Sequence, residues 1–372
     1  MRFGKKVKIA VACIIAGSMI IPTLGGFASA KTRDDEGDTK VRSYILDMDF
    51  EEDVDDVCAL RIATTAMRDG DINLIGVAAS VEAEGDPNLK AIHGVLCYDG
   101  LPDVAVGRGT HTGLNANSKY WAALSAYSDP AHYHPEDAFD MYTRLLEESE
   151  DKVTIITTGY LVNIAELIEK RPELVKEKVD HIYIVGGSED GGWENNFFFT
   201  EEARKAAETV MTKAINIVQI TLIPQNVGGP IKIGEKLIKA IPSDPVSQAL
   251  VLSGNGAGRA AWDPMGTWAA IYGGKATRTK QIAAHVEIEG SGESTELSVD
   301  TDLEEVKQNC WYMQRTIGNL FWYQNKLDNL LLMGSQGFKD VITLLQTGGS
   351  EREQNTQAET QNPEVTPEPV AE

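Results

Sequence analysis

Cysteine is scarce in this 372-residue sequence, which contains four of them. Cys13 lies within the N-terminal apolar stretch, and the remaining three are Cys58, Cys97 and Cys310. Three cysteines are few, and their number is uneven, which argues against a disulfide framework. Each of the three lies in an apolar stretch, which favours buried free thiols, with a single bridge as the open alternative.

Positive charge is also scarce, since 34 Lys and Arg face 56 Asp and Glu, a formal net charge of −22. Residues 1–30 hold four basic residues and no acidic ones, so their removal leaves 30 against 56, or −26. A surface of this charge repels nucleic acid polymers, and we exclude them as partners. The same charge suits a cation-binding site.

The first 30 residues have the features of a secretory signal peptide. Basic residues precede a mostly apolar stretch at 9–24, and Ala28-Ser29-Ala30 matches a cleavage site. The apolar stretch is short for a membrane span, and no transmembrane segment follows it. We therefore predict a secreted, extracellular protein with a disordered leader at 31–41, one domain at 42–346 and a disordered, low-complexity tail at 347–372. Proximity of that tail to a cell wall stays open.

The central region alternates between short apolar runs and amphipathic segments. This alternation predicts an α/β fold with an open, mostly parallel (mixed), Rossmann-like sheet, helices on both faces and the active site at the carboxyl ends of the strands. The predicted strands are 44–47, 74–79, 103–106, 153–156 and 181–185, and the predicted helices are 54–68, 88–98, 136–148, 161–170 and 201–213.

An acidic run follows the first predicted strand. Seven of the ten residues from Asp47 to Asp56 are acidic. Carboxylates this close repel one another unless a cation neutralises them, and calcium prefers several carboxylate oxygens together with carbonyls and water. Asp47 and Asp49 lie at the end of the strand, whereas Asp55 and Asp56 begin the next helix. The run therefore predicts a metal site, with a solvated acidic loop as the alternative.

Four motifs in order resemble the inosine-uridine-preferring nucleoside hydrolase family. The first, D-x-D-x-x-x-D-x-D-D, begins at Asp47 and is the longer form of the family's N-terminal signature. The other three resemble the family's T-G-P-L-T-N-x-A, G-G…E-x-N-[FI] and W-D-P segments. They are Thr157-Thr158-Gly159-Tyr160-Leu161-Val162-Asn163-Ile164-Ala165, then Val185-Gly186-Gly187 with Glu194-Asn195-Asn196-Phe197, then Trp262-Asp263-Pro264.

The resemblance implies a calcium-dependent enzyme that cuts the bond between ribose and base in nucleosides. Asp49 would be both general base and metal ligand, while Asp47 would position its neighbours without touching the ion. Family members are commonly dimers or tetramers, which implies a homo-oligomer. The remaining implied roles are metal binding by Asp56, Asp263 and the carbonyl of Thr158, and ribose binding by Asp55, Glu194 and Asn196.

Trp262 occupies a position where some relatives have a histidine as the acid for the leaving base. A tryptophan there resembles relatives whose indole stacks on a purine and eases its protonation, so we predict purine nucleosides. A core role for Trp262 is the alternative. Further aromatic residues that would add to a base pocket, or more often form core, are Trp121, Trp311, Tyr312, Phe321, Trp322 and Tyr323.

Departures from the family pattern concern substrate binding. Glu51 and Glu52 replace a common Gly-Asn pair, the stretch 188–193 is short, and Asn88 is a weak match to an expected asparagine. A non-catalytic protein that binds calcium and ribose therefore stays an alternative. A magnesium phosphatase would not explain Asp55 together with Asp56.

Other signals carry less information. His132-Tyr133-His134 lacks a third metal ligand nearby, and we expect His93, His111, His181 and His285 to be structural. The run Gly254 to Gly258 has neither nucleotide-binding glycine spacing nor a phosphate-binding lysine, and reads as a turn.

Overall fold

A nine-stranded sheet forms the centre of the molecule in the computed structural model. The structure describes residues 32–33, 39–51, 53–111, 118–188, 194–290, 296–303, 305–340 and 342–343. The predicted signal peptide and tail, most of the leader, Glu52 and most of 188–193 lie outside them. Within the described ranges, no helix is long and apolar enough to cross a membrane.

The strands alternate with helices along the chain. The strands are β1 (Thr32–Arg33), β2 (Thr39–Lys40), β3 (Arg42–Met48), β4 (Ile72–Val81), β5 (Ala105–His111), β6 (Glu136–Asp137), β7 (Val153–Thr157), β8 (Val179–Val185), β9 (Gln219–Ile223), β10 (Lys232–Ile233), β11 (Arg259–Ala260), β12 (Thr279–Ala283), β13 (His285–Glu289), β14 (Glu296–Asp300) and β15 (Cys310–Arg315). The α-helices are α1 (Asp55–Arg68), α2 (Pro87–Tyr98), α3 (Trp121–Ser125), α4 (Ala138–Glu148), α5 (Val162–Lys170), α6 (Pro172–Lys178), α7 (Asn195–Phe198), α8 (Glu201–Thr212), α9 (Gln225–Gly228), α10 (Glu235–Ala240), α11 (Pro245–Leu252), α12 (Trp262–Tyr272), α13 (Gly274–Thr277) and α14 (Leu320–Gly334).

The strand order of the large sheet is β12-β15-β9-β8-β7-β3-β4-β5-β6. Only β12 and β15 pair antiparallel in it. The chain runs from β3 outward through β4, β5 and β6, then returns to the other side of β3 with β7. The topological switch point therefore lies between β3 and β7, the place where open α/β sheets bind ligands.

Side chains of β3 alternate between two hydrophobic layers. Tyr44, Leu46 and Met48 pack with α1, α2, α12 and α14 on one face. Ile45 packs with α4, α5 and α8 on the other. The alternation follows from the two-residue repeat of a strand, and it sends Asp47 toward α4 and α5.

The predicted fold class is confirmed, and each predicted strand and helix has a counterpart within a few residues. The three cysteines of the domain are free. Cys58 and Cys310 are buried as expected, but the prediction of burial is wrong for Cys97, which is partly exposed and contacts the ring of His93 at 3.6 Å.

His181 provides a test of the packed sheet. Its Nε2 is 2.7 Å from the hydroxyl of Thr221, and its ring stacks on Tyr183. Burial lowers the pKa of His181 to about 4, so the unfolded chain binds a proton that the folded protein does not. Stability present above the unfolded pKa is therefore lost as pH falls toward 4.

Between pH 7 and pH 4.5, we expect the free energy of unfolding of His181→Gln to fall by about 2 kcal/mol less than that of the wild type. Urea unfolding of both proteins at pH 7 and pH 4.5 gives the four free energies of unfolding that this comparison needs. His134→Gln, at an exposed position, is the control. A pH-independent difference between wild type and His181→Gln would contradict the prediction.

Candidate active site

The predicted site residues follow the carboxyl ends of three adjacent strands. Asp49 follows β3, Thr158 follows β7, and Asn196 lies on the short helix after β8. Asp47 pairs in register with Thr157, and the Thr158 N–H donates to the Asp47 carbonyl at 2.8 Å. These contacts bring two of the sequence motifs together at the switch point.

A left-handed turn at Phe50 directs the chain away from the sheet. Phe50 has φ of +50°, a conformation that is uncommon for a residue with a side chain. Its N–H donates to Asp56 at 2.8 Å, and its carbonyl accepts from the indole of Trp121 at 2.9 Å. Both ends of the strained turn are thus held, which fixes the direction of the preceding Asp49.

Gly159 is needed where the β7 loop passes the end of β3. A Cβ at Gly159 would lie 2.2 Å from the Asp49 nitrogen and 2.8 Å from the Met48 carbonyl carbon. No side chain fits at such distances from backbone. The glycine in the second motif is therefore explained by close approach of two loops.

Asp47 is fully buried beneath the site. It accepts from the Tyr142 hydroxyl at 2.8 Å and from the Asn163 amide at 3.0 and 3.3 Å, and Asn163 also donates to the carbonyl of Ala79. Burial raises the pKa of Asp47 to about 7 although both hydrogen bonds lower it. Both carboxylate oxygens of Asp47 thus have hydrogen-bond donors within the protein, and its positioning role stays a prediction.

Five aspartates from the acidic run and from α12 form one cluster. Burial and mutual repulsion raise the pKa of Asp49, Asp55 and Asp263 well above the usual range. Burial also raises the pKa of Asp56, and the hydrogen bonds that Thr158 and Phe50 donate to it reduce this rise. The carboxyl of Asp49 interacts with that of Asp56, and the carboxyl of Asp53 with that of Asp55. Two loops and two helix N-termini thus converge.

The cluster is chemically suited to a hard cation. Carboxylates held this close and out of water need positive charge or protons to coexist. Asp56 also accepts from the Thr158 hydroxyl at 2.7 Å, which joins the loop after β7 to the carboxylates. In the described ranges, no group of three or more His, Cys, Asp or Glu side chains has the arrangement of a metal site.

Glu194 and Asn196 lie at the β8 side of the cluster. The Asn196 amide donates to the Thr158 carbonyl at 2.7 Å, and Glu194 accepts from Gln225 at 2.9 Å and from the Gly187 N–H at 3.3 Å. Burial raises the pKa of Glu194 despite both donors. The predicted ribose-binding residues are thus near the predicted Thr158 ligand.

Trp262 and Asp263 begin α12, and Asp263 is joined to the acidic run. The Asp263 N–H donates to Asp55 at 3.2 Å. Trp262 is half-buried, and its indole edge lies against Gly229, where a Cβ would meet the indole nitrogen at 2.6 Å. The Trp262 side chain is therefore partly exposed, at the position directly before Asp263.

Several aromatic candidates belong to the core instead. Trp121 is buried under the Phe50 turn, Tyr312 and Tyr323 are buried, and Trp322 packs on Trp268. Phe321 is 69% exposed. Asn88 is buried and donates to the carbonyl of Val81 at the end of β4, so its amide is engaged there.

Sequence reasoning missed Asn163, Tyr142, Gln225 and Arg259. Asn163 was within reach, because it is the asparagine of the second motif. Tyr142 carried no signal beyond an apolar position of an amphipathic helix. Arg259 donates a hydrogen bond to Asp53, which lies 206 residues away in the sequence, and no local sequence pattern predicts such a pair.

Curated relatives match parts of this chain. The pyrimidine-specific ribonucleoside hydrolase RihA of an Escherichia coli strain is 36% identical over 104 residues, which are 26% of this chain and 32% of that protein. RihA of Salmonella newport is 29% identical over 183 residues, 45% of this chain and 57% of that protein. The chain thus spans about a third to just over half of these relatives' lengths.

The fold also occurs in solved structures. The purine-preferring ribonucleoside hydrolase from Gardnerella vaginalis superposes with a TM-score of 0.59 at 17% identity, covering 79% of this chain and 99% of that one. At this identity the likeness shows the α/β fold alone. The family described as inosine-uridine preferring nucleoside hydrolase matches residues 44–322, most of the chain and all four motifs. The chain therefore belongs to the inosine-uridine preferring nucleoside hydrolase family.

Proposed function

We propose that the protein is an N-ribohydrolase, which uses water to cut the N-glycosidic bond of ribonucleosides. The observation that carries this proposal is the convergence of five aspartates at the switch point of the sheet, within a chain of this family. Loss of a base leaves oxocarbenium-like positive charge on the sugar. Carboxylates held around the ribose stabilise that charge.

Asp49 is proposed as the general base. Its side chain is partly exposed, unlike those of the buried Asp55 and Asp56, so water has access to it. Burial and the neighbouring Asp56 raise its pKa, which makes its ionised form a stronger base. Asp47 keeps the end of β3 in place through Asn163 and Tyr142.

Ribose recognition is assigned to Asp55, Glu194 and Asn196. Each lies beside the cluster, and each offers a carboxylate or amide to a sugar hydroxyl. Glu194 is oriented by Gln225 and the Gly187 N–H, and Asn196 by the carbonyl of Thr158. Side chains held in this way lose little freedom when substrate binds.

We propose calcium as the metal, held by Asp49, Asp56, Asp263 and the Thr158 carbonyl. Hard oxygen donors of this kind favour calcium over softer ions. When bound, a divalent ion lowers the pKa of a coordinated water and orients it. The ion would also offset the repulsion between these carboxyls.

Purine nucleosides are the proposed substrates, because Trp262 is partly exposed directly before Asp263 and an indole can stack on a purine. The sequence relatives are named as pyrimidine-specific, and the Gardnerella relative as purine-preferring. Both base classes therefore belong in the assay. Secretion and a dimeric or tetrameric state also stay proposals, tested by fractionating the source cells and by light scattering.

The test is release of free ribose from inosine, adenosine, guanosine, uridine and cytidine, each with calcium and with a chelator. We expect release from purine nucleosides with calcium and loss of release in the chelator. We also expect the chelator to lower the Tm, because calcium that binds only the folded protein stabilises it by about 3 kcal/mol at a hundredfold excess over Kd.

Two outcomes would contradict parts of the proposal. Ribose release that a chelator leaves unchanged would exclude the metal-dependent reaction. No release from any nucleoside, with calcium binding intact by titration calorimetry, would favour the alternative of a non-catalytic protein that binds calcium and ribose.

A further inference from the structure

Arg259 lies between the acidic cluster and Trp262. Its Nε donates to Asp53 at 2.8 Å, and its Nη2 donates to the other oxygen of the same carboxylate. The guanidinium carbon lies 4.8 Å from the centroid of the Trp262 ring. One side chain therefore bonds the acidic loop and covers an indole face. Its Nη1 makes no hydrogen bond to the described part of the chain.

The electrostatics of this position favour a permanently charged Arg259. Burial by itself opposes the charge, but Asp53, Asp55 and Asp263 raise the pKa of the guanidinium. In turn, the hydrogen bonds from Arg259 lower the pKa of Asp53 although burial raises it. The forked pair fixes the plane of the guanidinium, which limits how its remaining nitrogen can point.

The contact changes what Trp262 can do for a leaving base. A cation over an indole is attracted by the electron density of the ring. That density is what would raise the basicity of a purine stacked on the same ring. With Arg259 in place, Trp262 is better suited to support the base than to activate it, and the activating positive charge lies next to the ring.

We propose that Arg259 contacts the leaving base and stabilises the negative charge that develops on it, an inference that rests on the proposed N-ribohydrolase function. The Nη1 group and the second N–H of Nη2 form the guanidinium edge that Asp53 leaves free. An edge of this kind donates readily to a keto oxygen and a neighbouring ring nitrogen, the pair of acceptors that guanine presents on one edge. Hypoxanthine has the same pair, whereas adenine has an amino group in place of the oxygen. The preferred substrates are therefore 6-oxopurine nucleosides.

The reaction balances without proton donation by Arg259. A water oxygen bonds to the anomeric carbon, one water proton passes to Asp49, and the bond to the base nitrogen breaks with its electron pair staying on the base. Arg259 remains protonated and donates hydrogen bonds to the anionic base. The base then takes a proton from solvent, and Asp49 returns its proton to solvent.

The test compares inosine with p-nitrophenyl riboside, whose leaving group is a stable anion that needs no assistance. We expect Arg259→Gln to lower kcat for inosine by about 10²-fold, as for loss of one donor to a developing anion. For p-nitrophenyl riboside, kcat should stay near that of the wild type. Arg259→Lys, which keeps the charge, should recover part of the loss with inosine.

Arg278→Gln is the matched control, because the Arg278 guanidinium lies 4.3 Å from the Trp322 ring, a contact of the same kind as that between Arg259 and Trp262. Equal losses with both substrates in Arg259→Gln would overturn the inference and assign Arg259 a structural role. A wild-type protein that releases ribose from none of the five nucleosides would instead overturn the proposed function itself, so the two failures are distinguishable.

Discussion

Substituting Asp49 by asparagine is expected to lower kcat for nucleoside hydrolysis by about 10⁴-fold, near the upper limit for loss of a general base. Asparagine keeps the shape of the side chain but cannot take a proton from water. Ribose release under saturating inosine and calcium measures the effect. Asp103→Asn, at a side chain that is 83% exposed and contacts His132, is the control and should leave kcat unchanged.

The same variant should not be less stable than the wild type in a chelator. Burial and the adjacent Asp56 raise the pKa of Asp49, so its ionised form opposes folding at neutral pH. Removing that charge relieves repulsion in the cluster, and the Tm should rise. Activity lost together with a lower Tm would indicate misfolding and contradict the assignment of Asp49 as base.

Replacing Gly159 by alanine is expected to have the second-largest effect, although Gly159 has no reactive group. The added Cβ would lie 2.2 Å from the Asp49 nitrogen, and both colliding groups are backbone. The strand end that carries Asp49 must therefore move. A displacement near 1 Å of a catalytic group costs about 10²-fold in rate. We also expect a loss of about 1–3 kcal/mol in stability from overpacking.

Gly318→Ala is the matched control, because a Cβ at Gly318 meets nothing within 4 Å. Ribose release and urea unfolding of both variants measure the two effects. A Gly159→Ala protein with wild-type kcat would show that the β7 loop can give way without moving Asp49. The role assigned to this close approach would then be wrong.

The sequence by itself determined the class of fold and the composition of the candidate site. Short apolar runs with amphipathic helical segments between them are local features, and local features predict parallel α/β architecture. The acidic run from Asp47 to Asp56 and the segments at Thr158, Asn196 and Asp263 are also readable in sequence. Each of these motifs lies where a strand ends or a helix begins.

Some expectations failed because they depended on packing between distant segments. Cys97 lies in an apolar stretch, yet its place on α2 leaves it partly exposed. Asn88 looked like a candidate for substrate binding, but its amide is engaged by the end of β4. An apolar or amide side chain in sequence does not reveal which face of its helix meets the sheet.

Only the tertiary structure decided how the groups act on one another. It turns Asp47 inward to Tyr142 and Asn163, joins Asp263 to Asp55, and brings Arg259 to Asp53 and Trp262. These pairs come from strands and helices that are far apart in the chain and meet only when the sheet assembles. Sequence specifies the charges locally, whereas their repulsion, burial and neutralisation depend on distances that the fold alone establishes.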